Sequence, residues 1–162
     1  MDPAATIRAY YETLRRGDPL EPYFVADSRA VKFGITERLT GYEAISEGLR
    51  TQTETTTDWV VESHDLVVGE RPTHAWFGDS VTMAWTDVTT GERHDYETRW
   101  SGALTRRNDR DPGSESGLGP DTSADSGPTG RSTPEEWGFL SMHVSRPGTL
   151  DDSEQANRSE SG

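Results

Sequence analysis

The chain has 162 residues, no cysteine, and 29 acidic against 16 basic residues, for a formal net charge of −13. Those numbers exclude a disulfide-stapled module and any thiolate metal site, and they argue against nucleic-acid binding, which needs a basic surface to displace counterions. No stretch approaches the 18 consecutive apolar residues of a spanning helix, and the acidic N-terminus lacks a signal-peptide pattern, so a cytoplasmic location without membrane contact is expected.

The first predicted element is a helix. Asp2 can cap it, Pro3 fits its first position, and Ile7, Tyr10, Tyr11 and Leu14 form one apolar face. Arg15 and Arg16 suit its C-terminal dipole, and Gly17 suits the residue just past the end. A second, short helix is expected after Asp18-Pro19, burying Leu20, Tyr23 and Phe24. Ala30 to Phe33 reads as a strand, and Gly34 to Thr40 as a turn or short hairpin. Thr40-Gly41-Tyr42-Glu43 has the spacing of a capping box for a third helix, with Ile45 and Leu49 inward. The threonines from Thr51 to Thr57 argue against its continuing far.

From Asp58 the pattern turns to β. Strands are expected at Trp59–Val68, His74–Asp87, with a candidate bulge at Gly78, and Asp95–Arg107, separated by turns at 69–73 and 89–92. Residues 108–136 hold only Leu118 and Ala124 as hydrophobics among 29 residues, 17 of which are Gly, Pro, Ser or Thr. This segment reads as a disordered insertion and 148–162 as a disordered acidic tail. The last strand is expected at Trp137–Arg146. Helices first and a meander after them predict an α+β domain over 1–147, with a curved antiparallel sheet carrying three N-terminal helices on its concave face.

The acidity is specific in kind. Arginine supplies 15 of the 16 basic residues and Lys32 is the single lysine. A surface rich in Asp, Glu and Thr fits a halophilic protein, because the Debye length near 1 M salt is about 3 Å and self-repulsion is screened.

Several stretches, in this order, resemble one family. "IRAYYETLRRGD" resembles an opening helix, and "VKFGITERLTGYEAI" a strand, loop and helix start. "HAWFGDSVTMAW" with "RWSGALTRR" resembles two long strands, carrying Arg99, Ser101, Gly102 and Leu104. "WGFLSMHVS" resembles a last strand with Trp137, His143 and Ser145. Together they resemble the cone-shaped fold shared by nuclear transport factor 2, ketosteroid isomerase and the SnoaL-like polyketide cyclases. The 29-residue insertion, and Gly138 at a position where the family usually has a basic residue, depart from the pattern. The resemblance implies a pocket closed by the helices, a homodimer through the other sheet face, and either cofactor-independent acid/base chemistry on a small apolar carbonyl compound or a non-catalytic dimerisation or ligand-binding module.

The resemblance puts His143 in or at the mouth of the pocket, where an imidazole could act as base; the alternative is a core histidine bonded to Ser101 or a neighbouring strand. Glu37 is the second candidate base, or else a solvated turn carboxylate. Arg99 could anchor a substrate carboxylate, or pair with Glu97, Asp87 or Glu37. Tyr10, Trp59, Trp76 and Ser101 complete the expected lining, although aromatic residues more often simply pack a core. Strand alternation places Trp137, Phe139, Ser141, His143 and Ser145 on one face. No phosphate-binding loop or dinucleotide fingerprint occurs, and His64, His74, His94 and His143 lack metal-ligand spacing, so neither cofactor nor metal is expected.

Overall fold

A computed structural model describes residues 2–107 and 136–148. The segment expected to be a disordered insertion and the expected tail lie outside the described residues, apart from Glu136 and Gly148.

Helix α1 spans Pro3–Arg16. The Asp2 carboxylate accepts from the Ala5 N–H at 2.8 Å, and Gly17 closes the helix at φ 74°, a left-handed conformation that glycine adopts without strain. Ile7, Tyr10, Tyr11 and Leu14 are buried, each worth roughly 1.5–3 kcal/mol of burial. The second predicted helix is only a 3₁₀ turn, Glu21–Tyr23. Phe24 is already extended (φ −97°, ψ 147°) and bridges to Phe139 near the chain's last strand, so the turn ends there. The described residues therefore hold two α-helices, not three.

Strand β1 (Val31–Phe33) and strand β2 (Arg38–Thr40) form the small hairpin, with Val31 opposite Thr40. Helix α2 spans Tyr42–Thr55. Its cap is Gly41 at φ 92°, without a side-chain capping bond. Thr40 is held in the hairpin, so the expected capping box does not form. The helix runs past the expected stop, and the hydroxyls of Thr53, Thr55 and the capping Thr56 donate to the carbonyls of Leu49, Thr51 and Gln52 one turn back.

The remaining strands are β3 (Thr56–Ser63), β4 (Val67–Glu70), β5 (His74–Asp87), β6 (Arg93–Arg106) and β7 (Trp137–Ser145). The predicted strand Trp59–Val68 is thus two strands. At the break, the buried Asp79 carboxylate accepts from the Tyr11 hydroxyl (2.8 Å), the Ser63 hydroxyl (2.6 Å) and the Asp65 N–H (3.0 Å). The sheet order is β2-β1-β7-β6-β5-β3, with β4 also on β5. It is mixed, not antiparallel, because β1 runs parallel to β7. The chain after the 3₁₀ turn already lies along β7 through Phe24 and a Val25 N–H bond to the Phe139 carbonyl at 3.0 Å, and it enters β1 in that direction.

Two bulges decide the faces. On β3, Asp58 (φ 54°) and Trp59 oppose the single residue Trp85. On β7, Leu140 is the extra residue, since Leu104 pairs with Phe139 and Ala103 with Ser141. No bulge occurs at Gly78, where the β5–β6 register runs unbroken. The inner face carries Phe77, Trp100, Phe139 and Met142 against α1; Tyr10 sits edge-on to Trp100 and Phe139. None of the helices among the described residues is long and apolar enough to cross a membrane.

Candidate functional site

Beneath the two helices the inner face holds a solvent-open cavity of about 340 Å³. One wall is apolar: Leu14 from α1, with Met83, Trp100, Met142 and Val144 from the sheet. The facing wall is polar, with Thr51, Gln52 and Thr55 from α2. Trp59 is held at the edge by its indole N–H, which donates to the Thr56 hydroxyl at 2.9 Å, and its ring stacks on Trp85 at 4.8 Å.

Three polar groups meet in this space. Lys32 lies on β1 between Val31 and Phe33, opposite Met142, and alternation turns it inward; it is 5% exposed. Its Nζ donates to Glu37 Oε2 at 2.8 Å. Glu37 reaches Lys32 because Gly34, whose N–H donates to the Glu37 carbonyl at 2.9 Å, leaves its side chain room; a Cβ on Gly34 would stand 2.8 Å from Glu37 Oε2. The Glu37 side chain is 40% exposed, so the pair joins the cavity to solvent. Tyr10 supplies the third group. Burial first, then the charge of Glu37, raises its phenol pKa well above the ordinary tyrosine value, so the hydroxyl stays protonated. That hydroxyl has no hydrogen-bond partner among the described residues, which leaves a donor free for a bound molecule.

Tyr10, Glu37 and Trp59 therefore stand together at the cavity. His143 does not join them. The β7 bulge separates Trp137 and Phe139, which face inward, from Ser141, His143 and Ser145, which face outward. His143 is exposed, pairs with Ser101, and meets the Phe33 ring edge-on at 5.6 Å. It lines a separate groove with Ser145, Arg146 and Gly148. Arg99 and Ser101 share that outer face, and Arg99 makes no ion pair with Glu97, Asp87 or Glu37. Trp76 is also outside, 43% exposed, with the Arg71 guanidinium 5.4 Å from its ring. Lys32 went unnoticed as a site residue: it is the one lysine of the chain, but its strand has only three residues, and its pairing with Met142 on β7 is what turns it inward. Among the described residues no group of three or more His, Asp or Glu could hold a metal ion.

A curved mixed sheet closed by two helices over a side-chain-lined cavity defines the cone-shaped α+β class. The SnoaL-like domain family matches residues 4–110, and the chain belongs to that family. Solved structures agree on the fold. A nuclear transport factor 2-like (NTF2-like) superfamily protein from Salmonella enterica serovar Typhimurium is 14% identical, covering 93% of this chain and 92% of that one, with a TM-score of 0.66. A ketosteroid isomerase-like protein from Erwinia carotovora atroseptica is 15% identical, covering 90% and 94%, with a TM-score of 0.60. An NTF2-like protein of unknown function from Pseudomonas putida is 13% identical, covering 91% and 86%, with a TM-score of 0.63. No curated protein matches the chain.

Proposed function

We propose that the cone binds a small, largely apolar carbonyl compound and performs cofactor-independent acid/base chemistry on it. The observation that carries this reading is the Lys32–Glu37 pair, 2.8 Å apart, in a cavity with one apolar wall and one polar wall that is also lined by the protonated phenol of Tyr10. A carbonyl oxygen placed near Lys32 and Tyr10 would receive two hydrogen bonds in a poorly solvated site, where charge developing on oxygen is stabilised most. Glu37 is then the base that takes a proton from the carbon beside the carbonyl. This assigns to Lys32 the anchoring role expected of Arg99, and to Glu37 the role shared with His143.

The test is exchange of α-protons of apolar ketones in D₂O, followed by NMR in molar KCl. The wild-type chain should accelerate exchange, and Glu37→Gln should lose about a hundredfold or more of that acceleration, the scale of general-base catalysis. A wild-type rate equal to buffer would overturn the reading in favour of a non-catalytic ligand-binding module.

The same proposal extends to assembly and setting. Two copies pair through the outer sheet face, where small residues such as Ser80, Ala84 and Ser101 flank the exposed Val60 and Trp76, and the pair works in a salt-rich cytoplasm. Sedimentation of a monomer at micromolar concentration in molar KCl would refute the dimer.

A further inference from the structure

The single lysine of the chain occupies the one buried basic position among the described residues. Every arginine described is exposed except Arg107, which is intermediate. The two side chains differ in one respect that matters inside a cavity. A guanidinium is not deprotonated in proteins, whereas an amine that gives up its proton becomes a nucleophile. Lys32 has the acceptor for that proton beside it, at 2.8 Å.

We propose that Lys32 condenses with the carbonyl carbon of an aldehyde or ketone held in the cavity, forming an imine, with Glu37 relaying the protons. The proposal rests on the reading of the cavity as a carbonyl-binding site and deepens it. In the first step the ammonium passes one proton to the Glu37 carboxylate. The freed Nζ electron pair then forms a bond to the carbonyl carbon, the C=O π bond breaks, and proton transfer from nitrogen to oxygen yields a neutral carbinolamine. Glu37 returns its proton to the carbinolamine hydroxyl, the C–O bond breaks, and water leaves. The products are a protonated imine on Lys32, one water molecule and the Glu37 carboxylate. No oxidant or further reactant is consumed.

Three features of the site fit this chemistry. The cationic imine inherits the ion pair with Glu37, so the buried charge remains partnered throughout. The exposed part of Glu37 opens a path for the released water, while Leu14, Met142 and Val144 give the cavity an apolar wall against which the carbon chain of the substrate can lie. An imine also draws electrons from the neighbouring carbon more strongly than a hydrogen-bonded carbonyl does, which aids proton removal by Glu37.

Reductive trapping tests the proposal. The full chain is incubated with 3-phenylpropanal and cyanoborohydride in molar KCl, and the adduct is located by peptide mapping, which separates Lys32 from the N-terminal amine. Nα-acetyl-lysine serves as the reference amine. Labelling of Lys32 should exceed that reference by about tenfold or more, a small part of the advantage that a positioned reactant can gain. Glu37→Gln should slow it by a similar factor. Lys32→Arg, which keeps the charge, should lose the adduct at that peptide while retaining the wild-type melting transition. Labelling no faster than free lysine, or unaffected by Glu37→Gln, would overturn the imine. Proton exchange separates this failure from that of the underlying reading. Exchange equally fast in Lys32→Arg overturns the imine and leaves acid/base catalysis standing. Trapping at Lys32 without exchange supports the imine and overturns catalysis.

Discussion

Deleting Leu140 should unfold the domain or leave it barely folded. Leu140 is the unpaired residue of the β7 bulge, and its removal restores strict alternation from Trp137 to Ser145. Either the C-terminal half of the strand then turns over, or the N-terminal half does. In the first case Met142 and Val144, now 1% and 5% exposed, move out, and His143 moves in beside apolar rings. In the second case Trp137 and Phe139, at 1% and 0%, are expelled. Each outcome moves two core side chains into water, at roughly 1.5–3 kcal/mol apiece, so the loss is about 3–6 kcal/mol before any cost of burying a polar group. Domains of this kind hold only about 5–15 kcal/mol in total. Urea unfolding in molar KCl, followed by far-UV circular dichroism, measures the difference. A loss under about 1 kcal/mol would refute the claim that the bulge sets the two faces.

Other consequences are direct. Burial, first of all, holds the phenol pKa of both Tyr10 and Tyr11 far above its ordinary value, with the hydrogen bond to Asp79 adding to the shift at Tyr11. Their contribution to stability is therefore complete below the unfolded tyrosine pKa of about 10 and falls as pH rises beyond it; melting temperatures across pH 8–11 should decline at the top of that range, and less steeply in Tyr11→Phe. That variant should also lose about 1.5–3 kcal/mol at neutral pH, the worth of a hydrogen bond to a charged group, by urea titration. In Gly34→Ala the new methyl displaces Glu37 from Lys32, so aldehyde trapping should fall about tenfold; because a flexible side chain yields, stability should change by less than about 1 kcal/mol. With a net charge of −13, unfolding midpoints should rise steadily from low salt to molar KCl as self-repulsion is screened; a flat profile would remove the halophilic reading.

Much of the fold was legible because local signals agreed with it. The Asp2 cap, the apolar face of α1, the Gly17 terminator and the limits of the long strand His74–Asp87 all depend on neighbours in sequence. The departures arise where distant groups intervene. Asp79 collects donors from α1 and from the β3–β4 junction and splits one predicted strand. The direction of β1 follows from where Phe24 and Val25 meet β7.

The sequence by itself determined the class of fold and the acidic balance of the chain, and it put Tyr10, Glu37 and Trp59 among the candidate residues. Each of these follows from periodicity, composition or a resemblance carried along the chain. Only the tertiary structure decided which face of each strand looks inward. Strand alternation has a period of 2, so one extra residue in β7 reverses every position after it. That single reversal turned His143 outward with Ser101. Lys32, on a strand too short to judge alone, took the inward position because the register of β1 on β7 sets it against Met142.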